Sequence, residues 1–311
     1  MNRSRVGNGS FNGRAKECAE LYLLMLPALV LIFIFCYIPI YGVLIAFQDY
    51  YPGRPILAFD GGVIWVGLKH FISFVESRVF WRLIRNTLVL SGLNLVFGFW
   101  VPIVFALVLN ELQLPRYKKF VQTASYMPHF ISNVVVAGML LSFISTDGIV
   151  NVLRTKLGME AVAFNVQPGA FPALYTFTNV WKTFGWNSIL YLASIASIDQ
   201  NLYEAARLDG AGRLQQMRYI TLPSLKPIIM LMLIMAAGGI MNTNSDMILL
   251  LYTPATYETA DVIGTYVYRE TLLTGRFSYG AAVGLFTSVI NFPLVFVANA
   301  ISRKTAEFSL W

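Results

Sequence analysis

The chain is poor in charged residues, cysteine and histidine. It has 311 residues, of which 13% are charged and 57% hydrophobic. An ordinary soluble domain has about 25% charged and about 45–50% apolar residues. This shortage of charge excludes an ordinary soluble domain and predicts an integral membrane protein.

The two cysteines exclude a disulfide framework. On one helix, Cys18 and Cys36 would lie about 27 Å apart, which is too far for a disulfide. The two histidines, His70 and His129, show no metal-ligand spacing, and His70 is interpreted as a solvated loop residue. The sequence has no GxxxxGK[ST] motif. We therefore expect no metal, no cofactor and no nucleotide bound by a P-loop.

The formal charge of +7 could indicate nucleic-acid binding, but its distribution favours a membrane protein with basic cytoplasmic loops. Six apolar runs approach or exceed the ~20 residues that cross a bilayer. They lie at about 21–47, 86–108, 121–143, 172–198, 222–251 and 279–301. These runs predict an all-α protein with six transmembrane helices: a polar segment 1–20, a membrane domain 21–301 and a tail 302–311. The segment 48–85 predicts short interfacial helices.

The basic residues give the orientation. An even number of spans places both termini on one side of the membrane. The termini, the turn between the second and third spans, and residues 197–223 carry twelve Lys and Arg, against nine in the opposite loops. Lys and Arg are enriched in cytoplasmic loops, so this distribution predicts that both termini are cytoplasmic.

Residues 197–223 form a polar segment between two apolar runs, and we call it the polar island. Asn201 followed by Glu204 predicts a capping box at the start of a helix over 201–214. Residues spaced by four share one helix face, here Leu202, Ala206, Gly210 and Leu214. Small side chains at the centre of this face would let another surface approach. A solvated loop helix is the alternative.

Three strings in the polar island resemble the EAA motif of permease subunits of ABC importers: Glu204-Ala205-Ala206, Asp209-Gly210-Ala211 and Ile220-Thr221-Leu222-Pro223. GLKHFISFVES, FWRLIRNTL and Tyr126-Met127-Pro128 are similar to the MalF-like branch of carbohydrate permeases. Many relatives carry a proline before the EAA helix, where this chain has Asp199-Gln200-Asn201.

The resemblance implies a type I ABC importer permease fold in a bacterial cytoplasmic membrane. It implies a permease that is not an enzyme and that couples to a separate ATPase dimer. The implied coupling residues are Glu204, Ala205, Ala206, Asp209, Gly210, Leu222 and Pro223. The further implied partners are a second, different permease, and a solute-binding protein that docks on loops 48–85 and 252–277. The implied substrate is a sugar or oligosaccharide, with a leaning towards complex ones that include uronic acids.

Polar residues inside the fourth and fifth spans are candidates for a substrate cavity, because such residues are costly in a bilayer. The candidates are Trp181, Lys182, Trp186, Asn187, Asn242, Asn244 and Asp246. The alternative is helix packing, with interhelical hydrogen bonds from Asn187 and Asn244 and an ion pair between Lys182 and Asp246.

Two other functions stay open at this point. An ion-coupled secondary transporter would need an intramembrane carboxylate, and Asp246 is available. A membrane scaffold would bind a soluble partner through the polar island and transport nothing.

Overall fold

The computed structural model describes residues 10–57 and 62–306. The basic residues Arg3 and Arg5, used above for orientation, and Trp311 at the end of the predicted tail lie outside these ranges. The described residues contain helices and loops but no β-strand, apart from one isolated bridge between Gln48 and Trp65.

The first membrane segment is one helical rod. Helix α1 is Ser10–Ile32, and it continues through a π-helical turn, Phe33–Tyr37, into a 3-10 stretch, Ile38–Phe47. Pro39 lies near the start of the 3-10 stretch, where its missing N–H and fixed φ angle disfavour a continued α-helix. The side chains from 18 to 41 are exposed, and only the final turns pack against the last helix of the chain.

Two long helices form the centre of the molecule. Helix α2 is the short segment Lys69–Val75, α3 is Phe80–Asn110, and α7, further along the chain, is Phe171–Ala196; α3 and α7 pack along their length. Helix α10, Leu222–Gly238, packs against α7 and against the last helix, α14, Phe277–Ala306. Leu90, Tyr175 and Met247 are fully buried in one of the apolar clusters that join these helices.

The predicted third span, 121–143, is broken in the structure. Helix α4 is Pro115–Tyr126, a 3-10 turn covers Met127–Phe130, and α5 is Asn133–Ile144, followed by α6, Ile149–Lys156. Pro128 cannot donate a backbone hydrogen bond, and Ser132 then caps α5 by accepting from the Val135 N–H at 3.3 Å. The apolar segment long enough to span a membrane is therefore Asn133–Lys156.

The predicted fifth span, 222–251, is also broken. Helix α10 ends at Gly238, a non-helical turn follows, and α11 is Ser245–Leu251. Asn244 caps α11 by accepting a hydrogen bond from the Met247 N–H at 3.3 Å. Paired glycines at 238 and 239 weaken the helix where it stops.

Among the described residues, five helical segments are long and apolar enough to cross a membrane. They are Cys18–Phe47, Phe80–Asn110, Asn133–Lys156, Arg213–Gly238 and Phe277–Lys304. Helix α7 has 26 residues but more polar side chains. The all-helical fold is confirmed, and the count of six spans stays a prediction.

Four short helices lie at the two ends of the bundle. Helices α8, Gln200–Leu208, and α9, Arg213–Gln216, lie at one end, and α12, Tyr257–Ala260, and α13, Ile263–Tyr268, lie at the other.

A buried ionic cluster ties α3 to the loop after α11. The fully buried Asp261 carboxylate meets Arg82 at 3.3 Å and Arg269 at 2.8 Å. Burial opposes the charge of the Arg269 guanidinium, but its bonds to Asp261 raise its pKa.

His70 is not a solvated residue, so that interpretation is wrong. Its side chain is 13% exposed, and Nε2 lies 3.1 Å from the Asp49 carboxylate and 3.0 Å from the Gln48 carbonyl oxygen. The described residues contain no group of three metal-ligating side chains. Cys18 and Cys36 are free and exposed.

Candidate functional site

A cavity of about 430 Å³ lies between α3, α7 and the break that follows α10. Helix α7 turns one stripe of residues towards it, because residues spaced by four share a helix face. This stripe is Asn179, Thr183, Asn187 and Tyr191. No charged residue lines the cavity among the described residues. The cavity is therefore a neutral, amide-rich chamber at the middle of the bundle.

Hydrogen bonds link asparagines from three elements across this cavity. Asn179 donates its Nδ2 to Asn94 Oδ1 on α3 at 3.1 Å, and Asn244 donates its Nδ2 to Asn179 Oδ1 at 3.2 Å. The Asn244 N–H also donates to the Tyr175 hydroxyl at 3.1 Å. The chain of amides fixes the turn after α10 against α7, while Asn187 and Asn242 stay exposed to the cavity.

The wall formed by residues 239–244 is non-helical. Irregular backbone is tolerated at membrane depth where it lines a polar cavity, since its N–H and C=O groups need partners. The N–H groups of Met241 and Asn244 in the break already have protein partners, so it is the exposed Asn242 side chain that the break offers to a hydroxylated ligand.

The polar island lies at one end of the bundle, and its first helix is α8. The capping residue is Asp199, whose Oδ1 accepts from the Asn201 N–H at 3.0 Å. The prediction that Asn201 caps this helix is therefore wrong. Asp199 has the extended backbone that a capping residue needs, with φ −61° and ψ 123°.

The helix ends at Leu208, so the prediction of one helix over 201–214 is wrong. Gly210 adopts a left-handed φ of +81°, and the Ala211 N–H donates to the Ala206 carbonyl at 2.8 Å. This is a Schellman ending, which favours glycine because other residues are strained there. Leu214 lies on the next helix, α9, and does not extend the Ala206 face.

The second half of the island leads into the membrane. A π-helical turn, Met217–Thr221, joins α9 to α10, whose first residues are Leu222 and Pro223. The Tyr203 and Thr221 hydroxyl oxygens lie 2.8 Å apart in a buried contact. This bond ties α8 directly to the start of α10.

The outer surface of the island exposes both apolar and polar side chains. Leu208 is 90% exposed, Leu214 79% and Tyr219 70%. Glu204, Ala205, Asp209 and Gly210 are exposed, and Ala206 is half-buried. The residues implied to couple to an ATPase are therefore mostly open to solvent in this chain.

About two thirds of the chain matches one family of known proteins. Residues 103–307 match the family described as "Binding-protein-dependent transport system inner membrane component". The chain belongs to this family.

The relatives cover nearly the whole permease. This chain is 42% identical over 292 residues to the polygalacturonan/rhamnogalacturonan transport system permease protein YteP of Bacillus subtilis (strain 168). The match covers 94% of this chain and 90% of YteP.

A solved bacterial ABC transporter involved in the import of the acidic polysaccharide alginate has a chain 42% identical, with a TM-score of 0.84, covering 94% of this permease and 98% of that chain. The alginate transporter in complex with an alginate pentasaccharide-bound periplasmic protein has a chain 41% identical, with a TM-score of 0.85, covering 96% and 99%. The resemblance to permease subunits of carbohydrate ABC importers, and the importer permease fold that it implies, are confirmed.

Three of the seven candidate substrate residues line the cavity of this permease: Asn187, Asn242 and Asn244. Their role in binding stays a prediction. Asn244 also makes the interhelical hydrogen bond that the packing alternative expected.

The other four candidates lie elsewhere. Trp181 packs against a buried apolar cluster. The Trp186 ring stacks on His129 with centroids 4.4 Å apart. Lys182 donates to Asn133 on α5 and does not pair with Asp246, which is exposed in the first turn of α11.

Sequence reasoning missed Asn94, Asn179 and Tyr175, which complete the wall. Asn94 and Asn179 are polar residues within long helices of the membrane domain. The same signal that selected Asn187 could have selected both of them.

Proposed function

We propose that the chain is the transmembrane permease subunit of an ATP-driven, binding-protein-dependent importer of acidic oligosaccharides. The observation that carries the proposal is the neutral, asparagine-lined cavity within a chain of this family. Two similar proteins support the acidic substrate: YteP is a polygalacturonan/rhamnogalacturonan transport system permease, and the solved transporter is involved in the import of the acidic polysaccharide alginate.

The cavity would bind sugar through amides and rings. Amide N–H groups donate to hydroxyl and carboxylate oxygens, and amide oxygens accept from hydroxyls. Asn187 and Asn242 are exposed to the cavity, and the Tyr191 and Phe99 rings line it beside them. Charge balance for a carboxylated sugar would come from the second permease, which would close the open side of the cavity.

The polar island would couple this permease to the ATPase. The island could fit a groove on a soluble partner, because Leu208 and Leu214 are exposed and the side chains of Ala205 and Ala206 are small. The Tyr203–Thr221 contact would pass a movement of α8 to α10, whose far end carries the cavity wall. Alternating access would follow as a population shift between inward-open and outward-open states.

The remaining partners follow from the same proposal. ATP would be bound and hydrolysed by a separate ATPase dimer, so this chain would hold no nucleotide. A second permease and an extracytoplasmic solute-binding protein would complete the complex. Both termini and the polar island would face the cytoplasm of a bacterial cell.

Uptake in reconstituted vesicles tests the proposal. The chain is assembled with its ATPase, second permease and binding protein, and ATP-dependent uptake of labelled oligogalacturonate is compared with that of a neutral maltooligosaccharide. We expect uptake of the acidic sugar only. Asn187→Ala should lower it about tenfold, the effect of roughly 1.4 kcal/mol of lost hydrogen bonding.

Asp246→Asn is the control, because Asp246 lies off the cavity and its charge would be essential only to an ion-coupled transporter. Uptake that needs no ATP, or that is lost in Asp246→Asn while Asn187→Ala is silent, would refute the proposal.

A further inference from the structure

A second polar cavity, of about 520 Å³, lies between the polar island and the turn that follows α3. We call it the island cavity. One wall carries Arg207 and Arg213 of the island, and the other carries Asn110, Glu111 and Gln113. Gln216 closes the cavity from inside the island, with Nε2 donating to the Ala211 carbonyl at 2.8 Å. The cavity therefore has a fixed floor and two polar walls from different parts of the chain.

The charges that face this cavity are not balanced. Four Lys and Arg side chains in the described part of the chain pair with carboxylates: Arg82 and Arg269 with Asp261, Arg276 with Glu270, and Lys69 with Asp49. In the part of the chain that the structure describes, Arg207, Arg213 and Glu111 form no ion pair. Two guanidinium groups and one carboxylate thus leave the cavity with one excess positive charge.

This combination fits a small anion that also carries hydroxyl groups. Guanidinium groups bind carboxylate and phosphate in a two-point geometry that no neutral group reproduces. The side-chain amides of Asn110 and Gln113 can donate to and accept from hydroxyls. A cavity of a few hundred Å³ is the size range of small-molecule sites.

We propose that the island cavity binds a small hydroxylated oxyanion, an acidic sugar or a sugar phosphate, and that the bound anion regulates coupling. The cytoplasmic placement of the cavity rests on the proposed function. One wall of the cavity is the segment that would move with the ATPase, so the cavity changes shape during the cycle. A ligand that fits only one shape stabilises that state and alters the rate of transport.

The two walls could instead form a latch, in which Glu111 pairs with an arginine when the cavity closes. The latch and the ligand site predict different signs. Removing Glu111's charge strengthens anion binding but breaks a latch, whereas removing Arg213's charge weakens both.

Binding is measured on the assembled transporter in lipid nanodiscs by calorimetric titration with glucose 6-phosphate, galacturonate and neutral glucose. We expect one or both anions to bind and glucose not to bind; the tighter anion identifies the source. Arg213→Gln should weaken binding about tenfold, the effect of one charge-assisted hydrogen bond. Glu111→Gln should tighten it. Arg218→Gln, an exposed island residue that does not line the cavity, is the matched control and should change nothing.

Three results would overturn the inference. Two are binding results: that neither anion binds, or that neutral glucose binds equally well. The third is an ATPase rate, measured without anion, that falls alike in Arg213→Gln and Glu111→Gln; this result would assign a latch. Loss of the ATPase from purified Arg213→Gln would instead assign the cavity to the ATPase surface. Uptake with no anion binding would leave the proposed function standing, whereas a chain that never assembles with an ATPase would refute the proposed function itself.

Discussion

Gly210 is the position at which one added methyl group tests how the polar island works. Its φ of +81° closes the Schellman ending of α8. A Cβ at this position would meet no atom within 4 Å, so Gly210→Ala introduces no clash. The substitution changes only the backbone preference of one residue.

The expected magnitude follows from that preference. A left-handed conformation costs an L-residue other than Gly roughly 1–2 kcal/mol, which is about a 5–30-fold change in population. Asn visits this conformation more readily, so Gly210→Asn should cost less. We expect the native backbone conformation to be lost at the C-terminal end of α8 and at the adjacent Asp209, and not in the helices of the membrane domain.

The assay compares coupled ATP hydrolysis and oligosaccharide uptake in vesicles with the thermal unfolding temperature in detergent. Gly210→Ala should lower coupling about 5–30-fold at an unchanged unfolding temperature, with Gly210→Asn between it and the native chain. Gly210→Trp should abolish transport and ATPase coupling without unfolding the membrane domain. Trp has the same unfavourable backbone conformation as Ala at this position and adds a large side chain. Any loss of coupling in Gly210→Trp beyond that in Gly210→Ala therefore measures a steric clash with the docked ATPase.

Three results would refute this reasoning. Full coupling in Gly210→Ala would mean that the ending of α8 does not matter. A lowered unfolding temperature would mean that the island is part of the folding core. Normal uptake in Gly210→Trp would count against any docked partner at this surface.

Other substitutions test the packing that holds the cavity. Gly185→Ala would drive a Cβ into the Ser125 carbonyl oxygen, so we expect a loss of about 1–3 kcal/mol from overpacking, read as a lower unfolding temperature. Asp261→Asn should cost about 2–3 kcal/mol, below the full loss for a buried ion pair because Arg269 keeps some contact with water; an unchanged unfolding temperature would contradict this. Asn244→Ala should cost about 1 kcal/mol of helix capping and lower uptake, whereas Asn244→Ser should keep the cap but lose the bond to α7; equal unfolding temperatures for the two variants would exclude the capping role.

The apolar runs predicted the positions of α3 and α14 well, because a bilayer demands long apolar helices whatever their neighbours. The breaks in the third and fifth spans were not predicted. Pro128 and Gly238 are tolerated inside many membrane helices, and whether the chain breaks depends on distant partners for the freed backbone groups. At Asn244 that partner is the Tyr175 hydroxyl, 69 residues away along the chain.

Part of the candidate site was predicted from the sequence, and part depended on contacts between distant residues. Asn187, Asn242 and Asn244 were found because polar residues are rare in membrane helices. The alternative ion pair of Lys182 with Asp246 was wrong, because Lys182 instead donates to Asn133, on a helix whose position depends on the break at Pro128. At the polar island, Asp199 and Asn201 both suit a helix cap, and only the extended backbone at Asp199 decides between them.

The interruption between α10 and α11 has a consequence for how the membrane stays sealed. The N–H groups released at Met241 and Asn244 find protein partners, but the exposed amides of Asn187 and Asn242 keep the chamber polar, so we expect it to be hydrated even when no sugar occupies it. Every import event then exchanges solvent for cargo. The barrier against leakage of protons and ions must lie above or below this chamber, where packed side chains exclude water.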